Sequence, residues 1–373
     1  MIRHCSNREA GRPSGLKRRL VSAAGVLACA IALAGPGALA DTKPGVRGFV
    51  TEAIEVEAKR LDGFERGNAT RQKFGKLEFR GGLVLNSSST NFGGWSGLEI
   101  DPNGRQFLSI GDAGAWMTGE FVYEGNRLKG IRGVRQGPIL GVGGKRLPNE
   151  RDRDAEGVRL IEGTLAKGAV LVSFEQNHRI GRFEVNEKGL QQPTGYVKRV
   201  PEWSRMMRNK SLESVAVMRG GPNKGAIVSF AERLLDPAGH HTGWIWIGGL
   251  TDEPQRLGLK RIGDFDVTDA ASLPDGSLVV LERSFGWLSG VKMRLRLIKA
   301  GDVKAAAMLD GEVLLEADMS YEVDNMEGLA IHQGAGGEAI LTIISDNNFN
   351  GFLQRTLVLQ FALTTSRVSQ ARP

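Results

Sequence analysis

Short runs of apolar and small residues recur along this chain with a long and regular period. They occupy residues 107–110, 169–174, 226–230, 277–281 and 339–344. Runs of this length, bounded by turn-forming residues, have the pattern of strands buried on both faces. Several are followed by polar–apolar alternation, as in Gly181-Arg182-Phe183-Glu184-Val185 and Gly243-Trp244-Ile245-Trp246-Ile247. A period of two is that of a strand with one buried face. A third run follows in several units, for example residues 195–200 and 255–262. Beyond residue 40 no stretch carries the pattern of a long amphipathic helix.

A short signature precedes each apolar run: an acidic or small residue, then Gly or Ser, then an aliphatic residue. It reads Ser96-Gly97-Leu98, Glu156-Gly157-Val158, Glu213-Ser214-Val215, Ala271-Ser272-Leu273 and Glu327-Gly328-Leu329, with copies 56 to 60 residues apart. Each run also has a carboxylate just past its end: Asp112, Glu175, Glu232, Glu282 and Asp346. A repeat of about 57 residues with about four strands is one blade of a β-propeller. The expected fold is therefore all-β, a single propeller of five blades. The last unit lacks an outer strand, and residues 76–85, just ahead of the first signature, can supply it. That closure joins both ends of the chain in one blade and removes free sheet edges. Residues 51–64 can add strands, which leaves six blades open, and a two-domain β-sandwich is the rival architecture.

In a propeller the innermost strands of all blades run beside one axis. Equivalent residues at one end of those strands then meet at one mouth of the channel. Glu156, Glu213 and Glu327 are expected to converge there, with Asp346 beside them. Crowded carboxylates repel unless a proton or a cation neutralises them, and a hard divalent ion such as calcium takes six to eight oxygen ligands. The competing reading is structural, with each glutamate accepting backbone N–H groups from the next blade. Asn177, Asn347 and Asn348 offer amide oxygens nearby. His178 is a candidate general base, and Arg179 and Arg283 are candidates to meet developing negative charge. His240-His241 has no third nitrogen ligand at zinc spacing, and no P-loop, dinucleotide fingerprint, H-E-x-x-H or complete G-x-S-x-G is present.

Composition changes the picture in two ways. The chain has 373 residues, 51 of them glycine, and a formal net charge of +7. Residues 1–40 read as an export leader: Lys17-Arg18-Arg19, an apolar run over 20–34, then Ala38-Leu39-Ala40. This leader holds six of the 49 basic residues and one of the 42 acidic ones, so the remainder carries about +2. The basic character gives no reason to expect nucleic acid. Both cysteines, Cys5 and Cys29, also fall in the leader, which leaves no disulfide or thiolate chemistry for the rest. The expected organisation is a signal peptide over 1–40, an N-terminal extension over 41–73 and a propeller over 74–373. The mature protein is expected to be periplasmic or secreted, monomeric and without a transmembrane span.

Trp95-Ser96-Gly97-Leu98-Glu99, Asp154-Ala155-Glu156-Gly157-Val158, Lys210-Ser211-Leu212-Glu213-Ser214, Asn325-Met326-Glu327-Gly328-Leu329 and Ser345-Asp346-Asn347-Asn348-Phe349 together resemble the phytase-like propeller family, also described by an esterase-like activity of phytase. The resemblance spans roughly residues 75–363 and implies an exported propeller that hydrolyses a small-molecule phosphate ester or carboxylic ester. The D-A-x-D-P-A-aliphatic-W segment of calcium-dependent β-propeller phytases is missing, which argues against phytate itself. The E-G-aliphatic starts are also similar to those of metal-dependent propeller lactonases, and imply a cation near Glu156 or Glu327. A non-enzymatic binding propeller and a lactonase remain the alternatives.

Overall fold

The computed structural model describes residues 49–207 and 210–364; the expected leader over 1–40 lies outside them. The strands form five sheets, each built on a four-stranded antiparallel blade. Blade 1 runs Trp95–Ile100, Gln106–Gly111, Ala115–Glu124 and Arg127–Pro138 from the axis outward. Blade 2 has Ala155–Thr164, Lys167–Phe174, Arg179–Asn186 and Gly189–Tyr196. Blade 3 has Ala216–Val217, Ile227–Leu235, His241–Trp246 and Gln255–Leu259, with Met308–Leu309 added in parallel at its edge. Blade 4 has Asp266–Ser272, Leu278–Gly286, Gly290–Ile298 and Glu312–Ala317.

Blade 5 closes the ring as the sequence pattern requires. Its inner strands Asn325–Gln333, Ala339–Asp346 and Thr356–Leu363 come from the end of the chain, and Leu77–Asn86 from its beginning pairs antiparallel with Thr356–Leu363. The fold is thus a five-bladed β-propeller. Residues 51–64 make no sixth blade. Glu52–Ala53 extends blade 1 and Glu57–Arg60 extends blade 5, each as an outermost strand.

The core is divided into five apolar layers, one in each gap between neighbouring blades. Leu108, Trp116, Val158 and Phe174 fill the gap between blades 1 and 2, and Leu171, Trp203, Trp244 and Trp246 the gap between blades 2 and 3. A strand packed on both faces must be apolar along its length, which accounts for the runs seen in the sequence.

The signature has a structural cause. Each innermost segment carries a one-residue bulge against its partner, at Ser96, at Glu156-Gly157, within residues 213–215, at Thr268 and at Glu327. A bulge re-aims a side chain, here toward the axis. The following glycine is needed for space. A Cβ on Gly97 would lie 2.7 Å from Glu156 O, and one on Gly328 would lie 2.9 Å from Leu98 N.

This register corrects one expectation. The fourth unit starts at Thr268-Asp269-Ala270, three residues before Ala271-Ser272-Leu273, because its bulge falls at Thr268. Glu282 therefore leaves the carboxylate ring. It is fully buried between blades, bonded to Arg296 at 2.6 Å, and Arg283 occupies the ring position instead.

Deeper in the channel, Arg159 of blade 2 crosses the axis. Its guanidinium donates to Asp269 Oδ2 of blade 4 at 2.6 Å, to Ala270 O at 2.8 Å and to Leu98 O of blade 1 at 2.7 Å. Asp269 Oδ2 also accepts Leu329 N of blade 5 at 2.7 Å. Four of the five blades are tied through this one pair, and both residues are almost fully buried. Removing one partner of a buried pair strands the other charge. Asp269→Asn and Arg159→Met are each expected to lower stability by about 3–5 kcal/mol, read from urea denaturation. A loss near zero in both would show that the pair does not hold the blades together.

Candidate functional site

The inner-strand bulges bring Ser96, Glu156, Glu213, Thr268 and Glu327 to one end of the channel. The three glutamates come from blades 2, 3 and 5, and each is 8% exposed. Glu156 lies within the fields of both Glu213 and Glu327. The two interruptions are neutral: Ser96 Oγ donates to Gly94 O at 3.4 Å, and Thr268 Oγ1 donates to Met326 O at 3.2 Å.

A second ring surrounds the first, at the ends of the second strands. The register makes Asp112, Glu175, Glu232, Arg283 and Asp346 equivalent across blades 1 to 5. Asp154 and Asp266 join from the residues that pair beside this ring. The mouth thus gathers carboxylates from all five blades, with one arginine set among them. Asp346 accepts the Asn348 amide at 2.7 Å and lies within the field of Arg283.

Burial and crowding act in the same direction on these acids. Glu156 and Glu213 are pushed well above the ordinary carboxylate range, first by burial and then by neighbouring carboxylates. Burial, then Glu156, raises Glu175 to about 9. Burial raises Glu327 to about 7, a rise limited by Arg283, whose Nη1 lies 3.3 Å from Glu327 Oε1. Burial works against the charge of Arg283, but Glu327, Glu232, Glu213 and Asp346 together outweigh it and raise its pKa. Glu175 and Glu213 are hydrogen-bonded to one another, which requires a shared proton.

Two groups of three carboxylates have ligand oxygens within 4.8 Å of one another: Asp154, Glu156 and Glu175, and Glu175, Glu213 and Glu232. Both lie on the side of blades 2 and 3. Of the four expected ligands, Glu156 and Glu213 enter these groups. Glu327 faces Arg283 instead, and Asp346 stands across the mouth on blade 5. The donor set is oxygen alone, which fits a hard cation such as calcium or magnesium rather than zinc.

His178 sits on the rim, half-buried, with its pKa lowered mainly by burial. Ser211 Oγ donates to Glu175 O at 2.7 Å, so the 3.0 Å contact between His178 Nδ1 and Ser211 Oγ needs the imidazole proton on Nδ1. Nε2 is left as the acceptor. Arg179 is held in the wall: its guanidinium lies 3.7 Å over the Phe174 ring and donates to Asn177 O and Asp152 O. Asn177 Nδ2 donates to Asp152 Oδ1, and Asn347 Oδ1 accepts the Gly94 amide. Next to the mouth, on blades 3 and 4, lies a cavity of about 520 Å³ lined by Lys210, Glu232, Arg233, Arg261, Asp266, Arg283 and Phe285. Among its cations Arg233 and Arg261 are paired with Asp266. Asp154, Glu175 and Glu232 are the acids the sequence reading left out of its ligand set. The spacing Asp154-Ala155-Glu156 was the available signal for the first.

The raised carboxylates make stability depend on pH in a defined direction. Below the ordinary value of 4.5, folded and unfolded chains both hold these protons. Above it the folded chain keeps protons that the unfolded chain has lost, so stability falls as pH rises, through about 7 for Glu327 and about 9 for Glu175. The cation-free protein is expected to melt at lower temperature at pH 8.5 than at pH 5.5 (roughly 1.4 kcal/mol per group and pH unit). Calcium is expected to raise the melting temperature more at the higher pH. Equal calcium shifts at both values would show that the acids are not proton-loaded.

Among curated proteins none matches the sequence. Solved structures that align with it include an endo-arabinase from Bacteroides thetaiotaomicron, at 12% identity and a TM-score of 0.45, covering 71% of this chain and 92% of that one. The β-propeller domain of Swd1 from Myceliophteria thermophila aligns at 11% identity and a TM-score of 0.36, covering 84% and 99%. Raptor from Chaetomium thermophilum aligns at 11% and 0.34, covering 85% of this chain and 24% of its own length. The sequence pattern of the phytase-like family, described as esterase-like activity of phytase, matches residues 90–349, most of the propeller, and the chain belongs to that family.

Proposed function

We propose that the protein is an exported hydrolase of small phosphate or carboxylic esters, working at the acidic mouth with a bound divalent cation, calcium by preference. The observation that carries this reading is the meeting of buried carboxylates from separate blades with a single arginine among them. Fold alone assigns no activity, whereas a cluster of acids with raised proton affinity in a recess has the character of a functional site. Export rests on the leader pattern over residues 1–40. No helix among the described residues is long and apolar enough to cross a membrane.

Asp154, Glu156, Glu175, Glu213 and Glu232 would hold the cation, which supplies Lewis acidity and a bound water of lowered pKa. Arg283 presents a permanent positive charge to the same recess. It is suited to an ester oxygen that becomes negative in the transition state. His178 is neutral near pH 7, and its Nε2 can take a proton at the rim. The cavity beside Arg283 receives the remainder of the substrate. Phe285 lines it, and Trp287 and Leu288 stand fully exposed on the hairpin above, which favours an ester with an apolar group.

Glu156→Gln and Glu213→Gln are expected to lower turnover of p-nitrophenyl phosphate or p-nitrophenyl butyrate by about 100-fold, equivalent to about 3 kcal/mol of transition-state stabilisation. The variants should keep the wild-type far-ultraviolet spectrum. If wild type turns over neither substrate class with calcium, magnesium or manganese present, the enzyme reading fails and a binding propeller remains.

A further inference from the structure

The geometry points to two cation sites at the mouth, one held by Asp154, Glu156 and Glu175 and the other by Glu175, Glu213 and Glu232, with Glu175 shared between them. This rests on the cation in the proposed function and adds its number and its bridge.

Both groups of three satisfy the same geometric limit, with all ligand oxygens within 4.8 Å, and Glu175 is their one common member. The groups are supplied by different blades. Asp154, Glu156 and Glu175 belong to blade 2, and Glu213 and Glu232 to blade 3. The shared residue therefore stands at the seam, with Ser211 N of blade 3 donating to its Oε1 at 3.3 Å.

The Glu156 carboxylate supplies an independent sign of a ligand. It is more than nine-tenths buried and directed into the cluster, and among the described residues no hydrogen-bond donor or cation reaches it. A buried carboxylate without a donor is costly. Glu327, its equivalent on blade 5, has Arg283 at 3.3 Å, so the need is specific to the blade 2 side.

Grouping separates one ion from two: Asp154 and Glu156 fall in the first group, Glu213 and Glu232 in the second, and Glu175 in both. The two groups hold five carboxylates. Lys210, 3.6 Å from Glu232, and Arg283, whose field reaches Glu213 and Glu232, answer the blade 3 group in part. A carboxylate can bridge two ions because its two oxygens carry separate lone pairs. A pair of ions at such a bridge can hold both the attacking and the leaving oxygen of an ester.

The test is stoichiometry. Protein stripped with a chelator is titrated with calcium chloride by calorimetry, and bound metal is counted after dialysis. The wild type is expected to bind two ions per chain. Asp154→Asn should retain one ion, Glu232→Gln should retain one, and the double variant should retain none. Glu175→Gln should weaken both sites at least 10-fold. Thermal melting confirms that each variant is folded. Should Glu175→Gln fail to fold, the two single variants and their double decide the matter without it. One ion in the wild type overturns the inference, as does a double variant that binds as much as either single one. A one-ion protein that still hydrolyses esters would leave the hydrolase reading standing. Two ions without turnover would support the paired sites and remove the hydrolase.

Discussion

The buried contact between Arg159 and Asp269 is the constraint on which the rest of this propeller depends. Five sheets around an axis leave a channel, and polar backbone along that channel must find partners or water. Arg159 fills it from one side, bonding to carbonyls of blades 1 and 4 and to the Asp269 carboxylate, which in turn holds an amide of blade 5. Burial raises Asp269 to about 6, against the opposing pull of Arg159. The pair fixes how the inner strands stand relative to one another, and so where their bulges point.

That arrangement permits the site above it. Several carboxylates will not gather by themselves. They are held together because each sits on a strand whose position is set by interblade packing, and because ring closure through Leu77–Asn86 joins the two ends of the propeller in one blade. The repulsion is stored at the mouth and is opposed by apolar layers elsewhere in the ring. Strain of this kind concentrates where a ligand relieves it. The asymmetry matters as much as the crowding. Ser96 and Thr268 remove charge from blades 1 and 4, and Arg283 adds the opposite sign, so one side of the mouth is strongly acidic and the other is mixed.

The blade count and the closing strand were legible because both follow from one-dimensional pattern. A strand buried between two blades must be apolar along its length, and in blades 1, 2 and 5 the close approach beside the bulge leaves room only for glycine. Convergence of Glu156, Glu213 and Glu327 followed once those motifs were placed at equivalent positions. The fourth unit was set three residues too late, since Ala271-Ser272-Leu273 resembles the motif while the true start, Thr268-Asp269-Ala270, has neither its glutamate nor its glycine. That slip hid Arg283 as a ring member and put Glu282 in its place. The double use of Glu175 was hidden as well, because a distance of a few ångströms between oxygens on separate blades leaves no periodic trace.

The sequence alone determined five repeating units, their closure and the identity of three acidic starts, because hydrophobic period and glycine spacing are local demands of strand and bulge. Tertiary structure decided which acids share a space, which of them is answered by Arg283, and that the channel is bridged by Arg159. Those facts depend on register across blades and on distances between residues remote in the chain, and no local pattern encodes them.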